Sequence, residues 1–163
     1  MKTKKLSKAK PDGWGITRFV GYTESLLYES MVFEGLKYNR HWNGGGWVAE
    51  TAEVDETAFV GFFAMVKDKA KVKDQAIIED FARIEGEAIV NDKAIVRDYA
   101  IVYGLSKIFG NACIRGRARV SGEAKVFGNA AISSSAHVSG NAMVSGNVIV
   151  NESERFLHSG KYC

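Results

Sequence analysis

AIIEDFARIEGEAIVNDKAIVRDYAIVYGL, residues 76–105, is one six-residue phrase written five times. Each unit begins with Ala, carries Val or Ile third and puts Asp or Gly fifth. The phrase runs outward in both directions without an insertion, from Ala52 to Val150, as seventeen units of which the last is incomplete. The first position is Ala in fifteen of the seventeen, with Ser106 and Val148 the exceptions, and the third is Val or Ile in all. A period this regular sets the fold before any other feature is weighed.

Apolar residues at positions one and three make a two-residue alternation, so each unit contains a short strand with both side chains facing inward. The fifth position is then a tight corner. It is Gly at 86, 104, 110, 116, 122, 128, 140 and 146 and Asp at 68, 74, 80, 92 and 98, residues that tolerate positive φ. A helix would need a 3.6-residue period and would be weakened by so many glycines and β-branched residues.

With these units on the page, residues 52–150 resemble the hexapeptide-repeat proteins, which fold as all-β, left-handed parallel β-helices. The resemblance implies three hexads per triangular coil of roughly 18 residues, coils stacked about 4.8 Å apart and five to six coils in all. Val and Ile would fill the prism, with Ala near the corners. A pentapeptide-repeat helix would need a period of five. The stretch His41-Trp42-Asn43-Gly44-Gly45-Gly46-Trp47, just before the first hexad, and units such as Val138-Ser139-Gly140-Asn141-Ala142 resemble a bacterial and phage subgroup with V-x-G-N-A repeats and a GGW-type lead-in. Its members are often labelled transferases without an established activity.

Around the repeat the chain divides into a basic flexible tail (1–12), an N-terminal capping segment (13–51), the β-helix (52–150) and a C-terminal tail or cap (151–163). Within the cap, Ile16, Thr17, Phe19, Val20 and Tyr22 have strand character, and Thr23 to Leu36 reads as a short helix through Leu26, Leu27, Met31, Val32 and Phe33. A solenoid end needs such a cover, because it otherwise exposes backbone edges and core.

The 163 residues suit one domain, and 46% apolar with 25% charged composition excludes a wholly disordered chain. No apolar run reaches the roughly 18 residues of a membrane span, and no apolar stretch follows the early lysines as a secretory signal requires. A cytoplasmic protein without membrane attachment is expected. Two cysteines, Cys113 and Cys163, offer no disulfide framework and no zinc spacing. The net charge of +3 hides a division, with residues 50–100 carrying 7 Lys/Arg against 12 Asp/Glu and residues 101–163 carrying 7 against 3. That is a dipolar object, and nucleic acid is not its expected partner.

At 18 residues per coil, outward positions stack into columns. One face carries Phe59, Ile77, Ile95, Cys113, Ala131 and Ile149, with Phe63, Phe81 and Tyr99 at its neighbouring corner. The other two faces are mixed. So large an apolar strip exceeds what soluble monomers leave bare. It is expected to be covered either by the N-terminal segment, through Phe19, Leu27, Met31 and Phe33, or by a homo-oligomer (dimer or trimer) or a partner protein. Interface candidates are therefore Phe59, Phe63, Ile77, Phe81, Ile95, Tyr99 and Cys113, the last also reading as a small buried hydrophobe. Arg97, Arg115, Arg117 and Arg119 are candidates to bind phosphate or an acidic partner; the alternative is a solvated surface paired with Glu79, Asp98 or Glu123.

The resemblance also implies a possible chemistry. Many hexapeptide proteins are trimeric acyltransferases, in which a histidine is the general base and coenzyme A lies between prisms. The histidines available are His137 and His41, with His158 in the tail, and no loop interrupts the hexads where the family usually holds its histidine. No metal site is expected, and no phosphate loop or nucleophile elbow is present. The expectation is a non-catalytic binding or scaffold protein without a cofactor. The alternatives are an acetyl-coenzyme-A-dependent acyltransferase and a phage-type inhibitor of a host enzyme.

Overall fold

The computed structural model describes residues 16–17, 30–33, 35–151 and 156–163. Among these every regular element is a strand, and there is no helix long and apolar enough to cross a membrane. Four strands precede the repeat: β1 (Ile16–Thr17), β2 (Ser30–Phe33), β3 (Leu36–Arg40) and β4 (Trp47–Ala49). Each hexad then contributes one two-residue strand, from β5 (Glu53–Val54) to β21 (Ile149–Val150), followed by β22 (Phe156–Leu157) and β23 (Lys161–Tyr162).

The strands stack in parallel into three sheets, a β-solenoid of about six turns. Pairing falls 18 residues apart, Ile77 on Ile95 and Ile95 on Cys113 in one sheet, Arg83 on Ile101 in the next and Ile89 on Lys107 in the third. The register is uniform because each sheet takes every third hexad.

Inside, the third-position Val and Ile from Val60 to Val144 and the first-position Ala from Ala58 to Ala142 are fully buried. Fully burying a Val or Ile stabilises by roughly 1.5–3 kcal/mol, so these interior side chains supply most of the hydrophobic free energy. Ser106 keeps the Ala position because its Oγ donates to Tyr103 O at 2.9 Å, which satisfies a hydroxyl that would otherwise be costly to bury.

The corners are built by more than tolerance of positive φ. Asp68, Asp74, Asp80, Asp92 and Asp98 all have φ of 55 to 60°, and each carboxylate accepts from a corner N–H one coil further on. The distances are 2.8 Å from Gly86 N to Asp68, 3.2 Å from Asp92 N to Asp74 and 2.7 Å from Gly116 N to Asp98. Ser134 (φ 59°) joins them, whereas Glu56 and Phe62 at the first two corners do not have positive φ.

The N-terminal cap extends one sheet and closes a second. β4 lies parallel to Met65–Val66, and β3, β2 and β1 add to it in antiparallel order. The helix expected over Thr23 to Leu36 is therefore corrected for its second half. Ser30–Phe33 pairs with Leu36–Asn39 as a hairpin, Phe33 opposite Leu36, with Gly35 at φ 78° between them. Residues 18–29 lie outside the described residues.

Gly44 to Gly46 cover the edge of Phe59–Val60, with Gly46 N donating to Val60 O at 2.8 Å and Val60 N to Asn43 O at 3.0 Å. A Cβ on Gly46 would stand 2.4 Å from Val60 Cγ1, so only glycine lets the loop approach this closely. Arg40 fastens it. Its guanidinium lies 3.7 Å from the Trp47 ring centre and 4.0 Å from that of Phe62, and donates to Gly45 O and Phe62 O at 2.6 and 2.9 Å.

At the other end the solenoid continues past the last hexad. Phe156–Leu157 stacks on His137–Val138 and Lys161–Tyr162 on Met143–Val144, the first at a separation of 19 residues and the second at 18. The third sheet stops at β21.

Candidate functional site

The strongest feature outside the core is the apolar strip. Phe59, Ile77, Ile95, Cys113 and Ala131 occupy the outward position of successive strands in one sheet and are half-buried, and Ile149 is 64% exposed. At the next corner Phe63, Phe81 and Tyr99 are 61%, 47% and 58% exposed. Their rings stack with centroids 5.1 Å apart and planes within 17° and 3° of parallel. A stack held at the strand spacing is rigid, because the backbone ladder fixes each ring over the last.

Within the described part of the N-terminal segment, Gly44 abuts the Phe59 ring at the leading end of this strip. Met31 and Phe33 sit in β2, an extension of the neighbouring sheet, with Phe33 itself 44% exposed. Phe19 and Leu27 lie outside the described residues. Cys113 is a free, half-buried thiol on the face and not a buried core residue; its outward position decides this, since Ile114 takes the core.

The arginines continue the same surface toward the C-terminal coils. Arg97 and Arg115 lie one coil apart, each two residues beyond the central column at Ile95 and Cys113. Arg117 follows Tyr99 in the corner column and Arg119 follows Ile101 in the adjacent sheet. The ion pairs among the described residues are Lys67–Glu85, Lys69–Glu87, Lys71–Glu53 and Lys73–Glu53, so none of the four arginines pairs with Glu79, Asp98 or Glu123. Arg97 Nε is shielded without an acceptor, an arrangement that costs free energy until one is supplied. Glu53, gripped by hydrogen bonds from Lys71 and then Lys73, has its carboxyl pulled down to about 2.

The candidate bases are far apart in the fold. His137 projects from Arg119's sheet, one coil further on, and its Nε2 is 3.1 Å from Ser121 Oγ. Burial and then the Arg119 charge push its imidazole below the ordinary value. His41 belongs to the cap, with Nδ1 3.1 Å from Asn43 O, beside Trp42, which is 74% exposed. A groove of about 400 Å³ there is lined by Arg40, His41, Trp42, Glu50 and Glu56 among others. No group of three or more metal-ligating side chains exists among the described residues.

Two side-chain ladders were missed by reading single hexads. Asn111, Asn129 and Asn147 pass hydrogen bonds along a corner at 3.0 and 3.1 Å, and Phe109 stacks on Phe127 at 4.8 Å. Extending the 18-residue columns to the sixth and fourth hexad positions finds both.

Comparison of the chain with family models, with curated proteins and with solved structures gives no match.

Proposed function

We propose that this chain is a hexapeptide-repeat, left-handed β-helix that serves as a non-catalytic binding or scaffold module, associating through its apolar face. One observation carries this. The Phe63, Phe81 and Tyr99 stack stands about half exposed beside the Phe59 to Ile149 column, and apolar surface of this extent is what a protein contact covers. The prism supplies a preformed surface, so little ordering entropy is lost on binding.

Light scattering behind a sizing column tests it. The wild-type chain is expected to run above monomer mass, and Phe81→Asp with Ile95→Asp to bring it to monomer while keeping the β-rich fold. Unchanged mass and melting temperature in the double variant would show that the face is not a contact.

A second reading, acyl transfer from acetyl-coenzyme A, has one feature in its favour. Burial and then the Arg119 charge push the His137 imidazole below its ordinary value, a shift toward the neutral form from which a general base starts. Its test is acetyl-coenzyme A binding, with turnover lost in His137→Ala. A trimeric mass would favour it.

A further inference from the structure

We propose that the apolar face is closed by a second copy of the chain, running antiparallel to the first about a two-fold axis that lies across the face between the coils of Ile77 and Ile95. The inference rests on the self-association reading above, and adds the occupant, its direction and its register.

Two copies can face each other only about an axis in the plane of contact, which leaves two senses. With the axis along the prism, each coil meets its own counterpart, and the row on one side of the central column meets the row on the other. Lys93, two residues before Ile95, then comes opposite Arg97 of the copy, two residues after it, and Phe59 comes opposite itself. That sense sets two cations against each other at the coil of Ile95, gives Glu79 the neutral Gln75 and Arg115 the neutral Asn111, and so brings no carboxylate to either arginine.

With the axis across the prism, coil order reverses and each row meets itself. Glu79 and Arg97 are one coil apart in the same row, and neither is ion-paired within the chain among the described residues. An axis between their coils sets Glu79 against Arg97 of the copy, and by symmetry does so twice. The central column then places Ile77 on Ile95 and the Phe59 ring on the small Cys113. At the corner, Phe81 meets Tyr99, and Phe63 meets the Arg117 guanidinium, a cation–π pairing. Moving the axis onto the coil of Ile95 puts Arg97 against itself, and moving it one half-step further puts Arg97 against Arg115. The pattern of charge and size therefore selects one register. Four coils overlap, about 19 Å of prism, less than a standard interface, so the dimer is expected to dissociate on dilution.

Light scattering over a dilution series reads the dimer. Facing sheets stand about 10 Å apart, beyond the reach of a direct disulfide, so the sense is read with a short bifunctional maleimide in a Cys163→Ser background. That variant alone is expected to stay unlinked, because the two Cys113 side chains lie three coils apart, and adding Phe59→Cys is expected to give a linked dimer. Linking through Cys113 alone, or a dimer that Phe59→Cys fails to link, overturns the antiparallel sense. For the register, Glu79→Arg and Arg97→Glu are each expected to weaken the dimer at least tenfold and together to restore it; failure to restore overturns it. If Phe81→Asp with Ile95→Asp leaves the mass above monomer, the reading beneath the proposal fails. If that variant dissociates while the charge swap and the cross-link fail, the arrangement alone fails. A monomer at every concentration overturns both.

Discussion

At the scale of single residues, the corner carboxylates explain why Asp alternates with Gly at one position of the hexad. Both reach positive φ, but only Asp also receives the N–H of the following coil, as Asp92 does from Gly110 at 2.8 Å. Gly104 sits at φ 75°, and a Cβ there would stand 3.0 Å from Gly122 N and 3.1 Å from its O. Gly104→Ala is therefore expected to cost about 1–3 kcal/mol from left-handed strain and crowding. Gly104→Asp is expected to recover roughly 1 kcal/mol of that through the carboxylate bond; urea unfolding of the two variants checks the order. His137 gives a pH signature. Its folded-state value lies below its unfolded one because of burial and Arg119, so the unfolded chain binds more protons as pH falls through the range below 6.5, and stability drops. His137→Gln is expected to flatten that part of the melting temperature between pH 7 and 5, modestly, since the ring is partly exposed.

At the scale of the element, inward and outward positions predict opposite tolerances. Ala118 is fully buried in the prism while Lys125 projects outward. Ala118→Leu is expected to cost about 1–3 kcal/mol by overpacking, and Lys125→Ala less than about 0.5 kcal/mol, measured by denaturant unfolding. These positions were legible because a two-residue alternation can be met only by strands, and because 18-residue columns follow from three hexads per coil. The cap was less legible. Met31-Val32-Phe33 satisfies a helical face about as well as a short buried strand, and length alone could not arbitrate. The usable signal was Gly35 in a two-residue connection between apolar runs, the mark of a hairpin. The C-terminal strands escaped because one extra residue between His137's coil and Phe156 breaks the period, although Leu157 and Tyr162 still enter the core side. On the candidate surface, the columns gave the apolar strip and the arginine rows, but not that the arginines would lack carboxylate partners, since ion pairing depends on side-chain reach that no spacing encodes.

At the scale of the whole molecule, each coil touches only its neighbours, so stability is a sum of coil and interface terms. Amide exchange is expected to be slowest near Ile95–Val96 and to quicken toward both ends. Arg40→Ala, which empties the site between Trp47 and Phe62, is expected to speed exchange at Phe59–Val60 and leave Ile149–Val150 unaffected; equal effects at both would mean the prism melts as one block. The two ends differ in kind. The leading end is fastened by Arg40, the glycine loop and a hairpin, whereas at the trailing end one sheet stops a strand short of the other two. During synthesis this polarity becomes a timetable. The fastened end leaves the ribosome first, and at about 5–20 residues per second a further coil arrives roughly every one to four seconds, each finding a finished edge to template it and none having to wait for sequence still untranslated.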